Sequence, residues 1–111
     1  MKIQARSLYP KRNKYGAVKC ERDGIKFASK AERAYYDKLI LLQKAEEVSF
    51  FLMQVPFRLP GGIVYRADFV IFYPNQSHCE VVDVKGFETP SFKLKKKLFE
   101  SSYPLTIQVV K

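Results

Sequence analysis

The chain has 111 residues, room for one domain with a single core and little to spare. Twenty Lys and Arg against eleven Asp and Glu give a net charge of +9, which points to a polyanionic partner, nucleic acid first among them. A 47% hydrophobic content with nine Phe and seven Tyr excludes a disordered chain. Cys20 and Cys79 lack a CxxC spacing and a nearby His, which excludes a zinc site and leaves two buried free thiols as the expectation. No apolar run approaches the roughly 18 residues needed to span a bilayer. The opening residues carry charge without the apolar stretch of a secretory signal, so an intracellular protein is expected.

Residues 1–16 are basic: Lys2, Arg6, Lys11, Arg12 and Lys14 are broken by Pro10 and Gly16. An arm is expected there, and a frayed terminus and a DNA-contacting arm both fit it. Residues 17–111 are expected to form one domain, without repeats or linkers. In AVKCERDGIKFAS, Asp23-Gly24 between β-formers predicts a short hairpin. Residues 30–46 predict a helix, with Ser29 at the N-cap and Glu32 completing a capping box. Its expected apolar face is Ala31, Ala34, Tyr35, Leu39, Leu42 and Ala45, widened by Ile40 and Leu41.

VSFFLMQVPFRLP predicts a strand ending at Pro60-Gly61-Gly62, and Pro56 marks it as an edge or a bulge. Strands at 63–73 and 79–85 follow across a polar turn, which pairs them as a hairpin. The continuous valines of the second predict a central strand. Thr89 then caps a helix over 90–101 that starts at Pro90, with Phe92, Leu98 and Phe99 toward the core and Lys93, Lys96 and Lys97 in a basic stripe. PLTIQVV is the last strand. The predicted order is hairpin, α, β, β, β, α, β.

The candidate chemistry lies in VVDVKGF, residues 81–87. Asp83 and Lys85 share one face of a strand of valines, roughly 7 Å apart. Asp68 is a second charge among apolar neighbours, on the preceding strand. Antiparallel pairing can bring Asp68 and Asp83 to one end of the sheet, where two partly desolvated carboxylates repel. A divalent cation removes that penalty, and Mg²⁺ suits two carboxylates plus a substrate phosphate. Lys85 beside them can hold a phosphate or orient a water. A structural ion pair between Asp83 and Lys85, and an edge-protecting charge at Asp68, are the competing readings. His78 reads as a solvated turn residue.

The order of a helix bearing Glu32, then strands with Asp68, then Asp83-Val84-Lys85, then a basic helix resembles the PD-(D/E)xK nuclease superfamily over nearly the whole chain. The pattern NKYG…DGIKFASKAE…YRADF…VVDVKGF…FKLKKKLFE is similar to small phage-associated nucleases of that superfamily. The resemblance implies an α/β (α+β) restriction-endonuclease-like fold. Its αβββαβ core has a mixed sheet flanked by two helices, with the metal site where the second and third core strands diverge. It maps Asp68 and Asp83 onto the metal-binding acids and Lys85 onto the lysine, with the Val84 carbonyl as a further metal ligand. Ala67 stands where the nominal proline would be.

Glu32 matches the first-helix acid of the branch that includes endonuclease I-type junction-resolving enzymes and transposase endonuclease subunits. This implies a metal or water role, in competition with the capping box. Gln54 lies near where that branch often shows a polar residue, and an exposed strand residue is the other reading. The implied activity is a Mg²⁺- or Mn²⁺-dependent endodeoxyribonuclease leaving 5′-phosphate and 3′-hydroxyl ends. Branched DNA such as a Holliday junction would be the substrate, a homodimer would supply two sites, and the setting would be phage DNA processing in the host cytoplasm. Lys93, Lys95, Lys96 and Lys97 would contact phosphates near the scissile one, and Lys11, Arg12 and Lys14 phosphates farther out. Two rivals stay open: a basic DNA-binding accessory protein with structural carboxylates, and an inactive nuclease-fold adaptor.

Overall fold

The computed structural model describes residues 20–111, so Lys11, Arg12, Lys14 and the rest of the arm lie outside the described residues. The chain divides into two compact units, Met1–Lys38 and Leu39–Lys111. The elements run in the predicted order: β1 Cys20–Arg22, β2 Ile25–Phe27, α1 Lys30–Lys44, β3 Phe50–Leu59, β4 Ile63–Phe72, β5 Glu80–Val84, α2 Pro90–Ser102 and β6 Ile107–Val110. This is a mixed α/β architecture: two helices, a two-stranded hairpin and a four-stranded mixed sheet.

In the first unit, β1 and β2 pair antiparallel around Asp23 (φ 55°) and Gly24 (φ 78°). Two successive positive φ values make the tight hairpin turn that Asp-Gly favours. The hairpin is tied to the middle of α1: the Tyr36 hydroxyl donates to Asp23 Oδ2 at 3.0 Å, and Arg22 Nε lies 3.3 Å from Asp37 Oδ1. Burial and the Asp23 hydrogen bond raise the Tyr36 pKa. Ser29 Oγ accepts from the Glu32 amide at 3.1 Å, the predicted N-cap.

The apolar face of α1 differs from the expectation. Ala31, Ala34, Leu41 and Ala45 are exposed, while Glu32, Tyr36 and Leu39 are buried at i, i+4 and i+7. The larger Tyr36 removes more surface from water than Ala34 would, so the helix turns that stripe inward. Both cysteines are free, as expected, but half-buried rather than buried. The Cys20 thiol donates to the Ser29 carbonyl at 3.3 Å.

In the second unit, α1 ends in a Schellman arrangement. The Glu47 amide donates to the Leu42 carbonyl at 2.9 Å and the Glu46 amide to Gln43 at 3.0 Å, with Glu46 at φ 63°. The sheet order is β3-β4-β5-β6, antiparallel except for the parallel β5–β6 pair. β5 is therefore central and β3, the strand containing Pro56, is an edge, both as predicted. Phe99 sits at the heart of the core, 5.0 Å from Phe57, 5.6 Å from Tyr65 and 5.0 Å from Tyr103 by ring centroids. Leu59, Ala67, Val70, Val81, Phe92 and Ile107 complete that cluster. Thr89 Oγ1 caps α2 by accepting from the Phe92 amide at 3.1 Å, with Pro90 in the first turn. No helix among the described residues is long and apolar enough to cross a membrane.

Candidate metal and phosphate site

Strand register brings the two predicted carboxylates together. β4 pairs with β5 through Ile71↔Glu80, Val70↔Val81 and Phe69↔Val82. The next facing positions are Asp68 and Asp83, where the ladder stops. Asp68 Oδ2 instead accepts from the Val84 amide at 2.9 Å, so a side chain takes the place of a backbone partner. On the other side β5 stays paired with β6 through Val84↔Val110, and the Lys85 amide donates to the Val110 carbonyl at 2.8 Å. The sheet is thus open on the β4 side of Asp83 and closed on the β6 side.

Asp83 is 1% exposed. Its Oδ2 accepts a short hydrogen bond from the Tyr65 hydroxyl. Its Oδ1 is buried with no hydrogen-bond partner, and Lys85 Nζ lies 3.6 Å away, beyond hydrogen-bonding distance. Burial and the neighbouring Asp68 carboxylate push the Asp83 pKa up to about 7, against the pull of Tyr65 and Lys85. Burial, with the Asp83 hydrogen bond, keeps the Tyr65 hydroxyl protonated far above the usual tyrosine range. Lys85 Nζ also sits 4.8 Å from the centre of the Phe92 ring, a cation–π contact that steers the ammonium.

Gln54 faces Asp68 from β3. The register pairs Met53 with Phe69 and Val55 with Ala67, and Gln54 between them is left-handed at φ 55°. Its Nε2 donates to Asp68 Oδ1 at 3.2 Å, and its carbonyl accepts from Arg66 at 3.4 Å. A left-handed non-glycine residue within a strand costs on the order of 1–3 kcal/mol and persists only where surrounding contacts hold it.

A buried ion pair that serves stability has its remaining hydrogen-bonding capacity satisfied. The Asp83–Lys85 pair does not meet that standard, because Oδ1 lacks any hydrogen bond. A purely structural pairing of Asp83 with Lys85 therefore explains the arrangement poorly. Each Asp68 oxygen accepts one hydrogen bond and keeps a free lone pair. One orphaned buried carboxylate oxygen beside a second carboxylate is a donor set that fits a hard divalent cation.

Asp68, Asp83, Lys85 and Gln54 converge on one sheet end. Val84 is half-buried and contributes its amide. Glu32 is 7% exposed, on the first turn of α1. Among the described residues no group of three or more His, Cys, Asp and Glu side chains is placed to hold a metal ion. On α2, Lys93 and Lys97 are exposed and Lys95 is half-buried, whereas Lys96 is engaged with Glu100 at 3.1 Å. Glu100 also accepts from the Ile107 amide at 2.9 Å, and that bond holds its pKa low.

Tyr65 is the residue that reading the sequence missed. A tyrosine at an inward strand position reads as core, but its buried hydroxyl needs a partner, and that requirement was the available signal. A separate cleft of about 680 Å³, lined by Tyr73, His78, Glu80, Glu100 and Tyr103 among others, lies by the opposite ends of β4 and β5. It contains none of the predicted site residues, and His78 is exposed there.

A family model for a protein of unknown function, DUF1064, matches residues 12–110. The chain belongs to the DUF1064 family. No curated protein and no solved structure matches it. The match spans β1 to β6, and with them Gln54, Asp68, Asp83 and Lys85.

Proposed function

We propose that this DUF1064 protein is a metal-dependent endodeoxyribonuclease of restriction-endonuclease-like fold, acting on branched DNA. The observation that carries the reading is Asp83 Oδ1, a buried carboxylate oxygen without a hydrogen bond and 3.6 Å from Lys85 Nζ, at the register position opposite Asp68 where two central strands part. The net charge of +9 and the exposed Lys93 and Lys97 supply the electrostatics for a phosphate backbone.

Asp68 and Asp83 would hold Mg²⁺ or Mn²⁺. When bound, such an ion supplies positive charge at the phosphate and a water that ionises more easily. Tyr65 fixes Asp83 by one oxygen, which leaves the other directed at the site. Gln54 and the Val84 amide fix Asp68 by one hydrogen bond to each of its oxygens. Lys85, steered by the Phe92 ring, places a positive charge where the phosphate becomes more negative during attack. A homodimer would present two sites to a junction.

The test is cleavage of labelled linear, flap and four-way-junction DNA with Mg²⁺, Mn²⁺ or EDTA, beside Asp83→Ala. Metal-dependent cutting that disappears in the variant is expected, with the junction or flap cut best. Salt-dependent binding that ignores both metal and the substitution, without cutting, would instead establish a binding module.

A further inference from the structure

The hairpin of β3 and β4 carries two arginines whose charge nothing in the fold compensates. Strand pairing sets Arg58 opposite Val64 and Pro56 opposite Arg66. Arg58 and Arg66 are therefore diagonal neighbours across the two strands, on the face that also carries Gln54 and Asp68. Both are exposed, and neither makes an ion pair among the described residues. Two like charges within reach of each other gain the fold nothing. A charge on an edge strand has a structural use, because it discourages pairing with another sheet. Arg58 on β3 has that use. Arg66 does not, because β4 lies inside the order β3-β4-β5-β6.

The direction of Arg66 is the second observation. It stands opposite Pro56, yet its Nη1 donates to the Gln54 carbonyl at 3.4 Å. The guanidinium thus reaches two positions along β3, toward the residue whose amide holds Asp68 Oδ1 at 3.2 Å. It stops at a neutral carbonyl and forms no ion pair with Asp68. A 3.4 Å contact lies past the usual N–H···O range and stabilises little. It occupies one N–H of a group that carries five. The left-handed backbone of Gln54 (φ 55°) serves both partners: its side chain holds the carboxylate and its carbonyl holds the arginine.

We infer that this face of the β3–β4 hairpin is a track for a DNA backbone, with Arg66 on the phosphate next to the scissile one and Arg58 on a phosphate beyond it. Asp68 and Arg66 are two residues apart on β4, about 7 Å, and Arg58, opposite Val64, lies a further step of that size along the hairpin. A guanidinium suits this place because its parallel N–H groups match two phosphate oxygens. The inference rests on the nuclease reading, since the metal that Asp68 and Asp83 would hold defines which phosphate is scissile. It adds the path of the strand, from Asp68 along the hairpin toward the turn at Pro60–Gly62.

The experiment measures binding of a labelled DNA duplex by fluorescence anisotropy, in EDTA so that no cutting intervenes, across about 50–200 mM salt. The slope of log affinity against log salt is expected to shrink by about 0.9 in Arg66→Ala and by about 1.8 when Arg58→Ala is added, one released phosphate contact each. Arg66→Lys is expected to keep the wild-type slope, because an ammonium also neutralises a phosphate. Lys44→Ala, which removes an exposed charge at the end of α1, is expected to leave the slope unchanged. All four variants should unfold in urea at the wild-type midpoint, since the side chains they replace are exposed. An unchanged slope in Arg66→Ala, or an equal loss in Lys44→Ala, overturns the inference, and metal-dependent cutting by wild type would then still uphold the nuclease reading. Failure of wild type to bind the duplex at low salt overturns both.

Discussion

Asp83→Asn should make the metal-free protein more stable at alkaline pH. The folded state pushes the Asp83 pKa up from 3.8 to about 7. At about 1.36 kcal/mol per unit this is about 4 kcal/mol in favour of the protonated form. A raised acid pKa stabilises the fold fully below the unfolded value. That contribution is lost as pH rises through the folded value near 7. Wild type should therefore lose stability between about pH 4 and pH 7 and level off above, on account of this group. Asparagine removes the charge and keeps an oxygen for the Tyr65 hydroxyl, but it forfeits the attraction to Lys85. A net gain of about 1–3 kcal/mol at pH 8, shrinking toward pH 5, is the expected result. Urea unfolding at pH 5 and pH 8 measures it. Added Mg²⁺ should then raise wild-type stability and leave the variant unchanged, because only a native-state site shifts the unfolding equilibrium by mass action. A wild type more stable than the variant at pH 8 without metal would refute the reasoning.

Tyr65→Phe removes the hydrogen bond that pulls the Asp83 pKa down. It should cost about 1–3 kcal/mol at pH 8, read by urea unfolding, and weaken Mn²⁺ binding in a calorimetric titration. Gln54→Gly should act in opposite directions. Relief of the left-handed backbone offsets lost packing to within about 1 kcal/mol of stability, while loss of the amide that holds Asp68 lowers metal-dependent cutting. Glu46→Gly, at the αL position after α1, should raise stability by about 1 kcal/mol in thermal unfolding without altering DNA binding.

The element order was legible because the punctuation is strong. Asp23-Gly24, Pro60-Gly61-Gly62 and Thr89-Pro90 each fix a boundary through backbone chemistry. The facing of Asp68 and Asp83 was legible too, because two strands joined by a polar turn leave few registers. The inward stripe of α1 was not. Alternative faces of one helix compete, and the choice of Tyr36 over Ala34 depends on packing that no local pattern encodes. Tyr65 was hidden because the reach of its side chain to Asp83 on the neighbouring strand is a tertiary fact. The left-handed turn of Gln54 was equally hidden, since glutamine carries no preference for it. Lys96 looked like a member of the basic stripe until its i,i+4 partner Glu100 claimed it.

One amide at the end of β5 ties the chemistry to the scaffold. The Val84 N–H, between Asp83 and Lys85, is satisfied by the Asp68 carboxylate and not by a neighbouring strand. Replacing Asp68 with alanine would therefore strip a backbone amide of its acceptor as well as remove a ligand. A dead Asp68→Ala protein would report a loosened strand and a lost carboxylate at once. The same coupling makes the amide resonance of Val84 a gauge of the site, since whatever engages Asp68 must register there first.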